Sequence, residues 1–102
     1  MFTPLTIAAC NLNPGDMIRY TNPDKRPNMV NPVMQGVVVG VTVERTKEGR
    51  VKMGSLTRVD VRLPITNTVN SYMFPWNQYI DVTGQVSQEA LDFMEDFRKF
   101  QL

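Results

Sequence analysis

The chain has 102 residues, 42% of them apolar and 21% charged, with a net charge of +1. This length supports one modest core and leaves no room for a second domain. There is no histidine and only one cysteine, Cys10, which removes the commonest general base, the commonest zinc ligand, histidine-dependent triads, thiolate metal sites and any internal disulfide.

Charge is unevenly spread. Residues 16–62 hold nine basic and five acidic groups, a net +4, whereas residues 63–102 hold two and five, a net −3. Such a division can orient a partner. A single thiol suits a reducing compartment, and a cytoplasmic location is expected. Residues 7–10, Ile-Ala-Ala-Cys, look like a lipoprotein cleavage box. No positive residue precedes them, and residues 1–9 are too short for a leader, so they are read as ordinary chain. No run approaches the ~18 apolar residues of a membrane span, so no membrane partner is expected.

Taken in chain order, residues 2–12 form a weakly apolar lead-in. Asn13-Pro14-Gly15-Asp16 is a turn: Pro presets φ, Gly permits positive φ, and Asn and Asp bond nearby backbone. Met17 to Tyr20 reads as a strand continuing to Thr21. Residues 22–35 carry Pro23, Pro27 and Pro32 and read as a long ordered loop or an edge.

Residues 36–45 give the clearest strand, with Val37, Val39, Val41 and Val43 expected on one face. β-branched density of this order suits a pleated surface. Gly36 and Gly40 suggest a bend or bulge. Thr46 to Arg50 reads as a hairpin loop with Gly49 in the left-handed region. The return strand starts at Val51, is interrupted at Gly54-Ser55, and resumes from Leu56 to Leu63. Val59, Val61 and Leu63 face the core, and Arg58, Asp60 and Arg62 face away. Two short strands then flank Pro75-Trp76, ending at Thr83-Gly84.

A C-terminal helix is predicted over residues 87–100, with Ser87 as N-cap and Val86 and Leu91 as a staple. Ala90, Phe93, Met94, Phe97 and Phe100 form one apolar stripe, expected to close the end of the sheet.

Leu12-Asn13-Pro14-Gly15-Asp16-Met17-Ile18 resembles the turn into the first strand of SH3-like barrels. The expected fold is therefore mainly β in one domain, residues 1–102. The sheet, over residues 16–83, is expected to be a small five-stranded SH3-like barrel or a partly open barrel, with one C-terminal helix.

Asp92, Glu95 and Asp96 are the main acidic cluster. They read as a solvated helix face with Glu95 partnering Lys99, not as a metal site. Cys10 reads as a small buried apolar residue. No catalytic group, metal ligand or cofactor loop is assigned, and an enzyme is not expected.

Three binding readings follow. The first is engagement of a protein partner through an aromatic and methionine-rich loop face, with Tyr72, Trp76, Tyr79, Met29 and Met34, in an accessory or inhibitory role. The second is nucleic-acid binding by Arg45, Lys47, Arg50, Lys52, Arg58 and Arg62, with Tyr20, Tyr72 and Trp76 as stacking platforms. The third is a structural subunit or homo-oligomer with the helix as its seam.

Overall fold

The computed structural model describes residues 5–22, 33–64 and 66–99. Six strands form one antiparallel sheet: β1 (Leu5–Ala8), β2 (Asp16–Thr21), β3 (Val33–Thr42), β4 (Leu56–Arg62), β5 (Val69–Pro75) and β6 (Tyr79–Gln85). A short 3-10 turn, Ala9–Asn11, follows β1, and helix α1 spans Gln88–Lys99. The spatial order is β1-β6-β2-β3-β4-β5, so β1 and β5 are the two edges. The expected β-rich chain with one terminal helix is present, but the described sheet has six strands and is not closed, where a five-stranded barrel or a partly open barrel was expected. The sixth strand comes from the lead-in: Leu5–Ala8 pairs with β6 from Leu5 opposite Val82 to Ala8 opposite Tyr79.

The core lies on the concave face. Ile18, Val38, Val59, Val61, Phe74, Ile80 and Val82 are buried there with Tyr20, Tyr72, Ala9 and Leu12. Each large apolar side chain removed from water stabilises the fold by about 1.5–3 kcal/mol. Tyr20, Tyr72 and Phe74 meet with ring centroids 5.2–6.4 Å apart. The expected inward set Val59, Val61 and Leu63 is observed, with Leu63 packed at the margin.

The valine pattern of β3 changes phase midway. Val38 opposes Val61 and Gly40 opposes Asp60, so Val39 is an extra residue with no cross-strand partner. Before this bulge the even position, Val38, points into the core; after it the odd position, Val41, packs there. A single face for Val37, Val39, Val41 and Val43 is therefore not what forms. One added residue in a period-2 pattern reverses every side chain beyond it.

The turn before β2 is held as expected. Gly15 has φ +99°, and Asp16 accepts the Asn13 amide at 2.8 Å. The Gly15 amide donates to the Val38 carbonyl, and the Gly15 carbonyl accepts from Val86. A Cβ on Gly15 would stand 2.6 Å from the Val86 carbonyl oxygen. No side chain fits that approach.

The first part of the expected return strand, from Val51 to Met53, belongs to the β3–β4 loop. Val51 makes only an isolated bridge with Arg45, and β4 begins at Leu56. Gly49 takes φ +85°, as the turn requires. β6 runs on through Gly84 to Gln85.

Helix α1 starts as predicted, with the Ser87 hydroxyl accepting the Ala90 amide. It lies on the face of the sheet opposite the core, over Arg62. Leu91 is buried, and Glu95, one turn on, reaches Arg62. Phe93 is 71% exposed. The side chains of Met94 and Phe97, and residue Phe100, lie outside the described residues. Glu95 pairs with Arg62; the side chain of Lys99, its expected partner, lies outside the described residues.

Candidate functional site

Of the residues expected to form one aromatic and methionine face, two pack on the core instead. Tyr72 is buried in the core beside Tyr20. Met34 is half-buried and packs on the same core. Met29 lies outside the described residues, as does the whole stretch 23–32. Tyr79 is 72% exposed. It lines a cleft of about 230 Å³ with Arg19, Val33 and Asp81 on the convex side of β2 and β6. Arg19 and Asp81 form a solvent-facing ion pair at 3.4 Å. Trp76 is half-buried in the β5–β6 turn. Its amide donates to the Ser55 carbonyl, and its carbonyl accepts from Cys10.

The six cations are likewise not one track. Arg45, Lys47, Arg50 and Lys52 are exposed along the β3–β4 connection. Lys52 pairs with Glu44 at 3.1 Å, and Arg45 donates to the Gly49 carbonyl. Arg58 lies on the convex face of β4, bonded to Asp60 and Ser71. Arg62, expected to be an outward cation, is 3% exposed beneath the helix. It donates to Glu95 at 2.6 Å and to Asn67 at 3.1 Å. Two of the proposed stacking platforms, Tyr20 and Tyr72, have no free ring face because both are in the core.

A different surface is assembled at the β4–β5 edge. Cα partners in an antiparallel pair project to the same side. Leu56 stands beside Pro75 and Arg58 beside Met73, with Asp60 beside Ser71. Leu56 and Met73 are each about half exposed, and Met53 in the preceding loop is more so. The result is an apolar strip along this edge.

The strip borders a row of backbone groups whose phase is fixed at both ends of the β4–β5 ladder. The Trp76 amide donates to Ser55, and the Leu63 amide donates to Thr68. Both pairs fall in the ladder's own register. In antiparallel pairing, hydrogen-bonded and non-hydrogen-bonded residues alternate. Asn70, Tyr72 and Phe74 therefore turn their backbone groups toward β4. Val69, Ser71, Met73 and Pro75 turn theirs outward, where no described strand meets them.

Sequence reasoning missed this edge, although a signal was present. Val69–Pro75 carries no charged residue, and its one proline stands at the end of the run.

Among the described residues no group of three His, Cys, Asp or Glu side chains could hold a metal ion. Asp92 is instead bonded to the Gln88 amide. No helix among them is long and apolar enough to cross a membrane. No protein-family model, curated protein or solved structure matches the chain.

Proposed function

We propose that this chain is a non-catalytic binding module that engages another polypeptide by strand addition along β5. One observation carries this reading: Val69, Ser71 and Met73 present outward backbone groups on a seven-residue edge with no charged side chain. Strand addition satisfies such groups with main-chain hydrogen bonds and draws specificity from alternate side chains. Leu56, Met73 and Pro75 supply the apolar contact, and Trp76 braces the turn at its end. The occupant is an extended protein segment, because only an extended backbone matches the spacing of the row. As part of the same reading, the fold is an opened relative of small SH3-like barrels. The turn feeding β2 supports that, and the unpaired thiol of Cys10 suits the cytoplasm.

The test is capture of partner polypeptides from the native host cell by the immobilised chain, with melting temperature measured in parallel. Met73→Lys adds a charge to the edge without entering the core. It is expected to abolish capture at unchanged melting temperature. Unchanged capture by this variant overturns the reading. Trp76→Ala is expected to weaken both.

One observation favours nucleic acid as a second reading. Lys47 and Arg50 have no carboxylate within ion-pair distance among the described residues. Retention on heparin or single-stranded DNA at low salt, falling steeply as salt rises, is the outcome expected of phosphate contacts. Absence of retention at low salt eliminates this reading.

A further inference from the structure

We infer that the extended segment accepted by β5 is β5 of a second copy of this chain, paired antiparallel about a two-fold axis at Ser71. The inference rests on the strand-addition reading above and names its occupant.

Three observations carry it. The first is the phase of the edge. With odd-numbered residues directed outward, a two-fold axis at Ser71 sets Ser71 opposite its own copy and Met73 opposite Val69. Each of these pairs can exchange both main-chain bonds, because all three residues keep an amide. The ladder ends naturally on both sides. Pro75 has no amide to donate, and the residue it would face, Asn67, has already left extended geometry at φ +54°.

The second observation is the side chains this register brings together. The half-exposed Met73 meets Val69, an apolar pair on the convex face. No charged residue stands opposite a like charge, because β5 has none. Arg58 and Asp60 neutralise each other within one copy at 3.0 Å. The Ser71 hydroxyl donates back to Asp60 and accepts from Arg58. Its side chain is thereby drawn toward β4, which leaves the axis clear for close approach.

The third observation is the lack of any guard. Exposed edges are ordinarily blunted by lysine, by proline within the strand, by a bulge or by brevity. The described part of β1, the other edge, is four residues. β5 is longer, regular against β4 over its whole length, and carries none of these devices before Pro75.

The experiment is sedimentation of the full chain over a concentration series, beside two variants. Wild type is expected to move from one copy toward two as concentration rises, since a single strand pair is at the small end of specific interfaces. Met73→Lys is expected to weaken that association by at least ~10-fold while keeping the wild-type circular dichroism. The second variant combines Cys10→Ala with Ser71→Cys. Cα atoms of a hydrogen-bonded antiparallel pair lie ~5.5 Å apart, within disulfide range. Mild oxidation is expected to yield a covalent dimer quickly, and much faster than for Thr83→Cys on exposed β6 in the same Cys10→Ala background.

A wild type that sediments as one copy at every concentration overturns the inference. So does a dimer that survives Met73→Lys or that forms no faster link at position 71. A monomer that still captures a partner in a Met73-dependent way overturns self-pairing alone and leaves strand addition standing. Loss of both removes the two together.

Discussion

The Arg62 guanidinium and the Glu95 carboxylate meet at 2.6 Å, the first beneath the helix at 3% exposure and the second 46% exposed. One is the last residue of β4 and the other lies midway along α1, so this pair pins the helix to the convex face. Asn67 takes a second guanidinium donor, and Nε has no partner among the described residues.

Removing Glu95 therefore leaves a buried cation short of acceptors. Glu95→Ala is expected to destabilise by about 1–3 kcal/mol, moderated by the open side of the carboxylate. Arg62→Met keeps the packing and removes the charge, and is expected to be near neutral. Urea unfolding followed by circular dichroism separates the two. Equal losses in both variants would contradict this account of the pair.

Thr57 is fully buried in the core, and its hydroxyl has no hydrogen-bond partner among the described residues. Thr57→Val replaces that hydroxyl with a methyl of similar size. A gain of about 1 kcal/mol is expected, since an unpaired polar atom is removed at little cost in shape. Thermal unfolding measures it, and a loss would mean that the hydroxyl is satisfied in solution.

Burial pushes the Tyr20 phenol far above its ordinary value, and the adjacent Tyr72 adds to the shift. The folded protein then holds this proton while the unfolded chain releases it above pH ~10. Stability from this group is fully present below that pH and declines as pH rises beyond it. Tyr20→Phe is expected to flatten the decline. Chemical unfolding at pH 8, 10 and 11 provides the check.

Gly15→Ala is expected to cost at least ~2 kcal/mol, from strain at positive φ and collision with the Val86 carbonyl. Thermal unfolding reads it, and an unchanged midpoint would show that the turn can relax.

The elements were largely legible because their signals are local. Ser87 caps, Gly49 turns, and Val59 and Val61 alternate within short windows. What escaped depended on neighbours in space. The bulge at Val39 is set by pairing with β4, and it reverses a valine pattern that is regular in sequence. Arg62 alternates as an outward residue should, and it does leave the core face, but a helix from the far end of the chain covers it. Tyr72 carries the composition of an interface residue, yet its position in the period of β5 turns it inward. Met73, one residue on, has the opposite fate for the same reason. The lead-in strand was invisible because four residues carry too little pattern, and only β6 gives it a partner.

Gly15 joins distant parts of the chain through its two backbone groups, giving its hydrogen to β3 and taking one from Val86, two residues before the helix. The arrival of α1 on the sheet is thereby tied to a bend formed near the other end of the polypeptide. Amides of the 13–16 turn and of Val86 should exchange with solvent as one cooperative unit, so that loosening either terminus releases both.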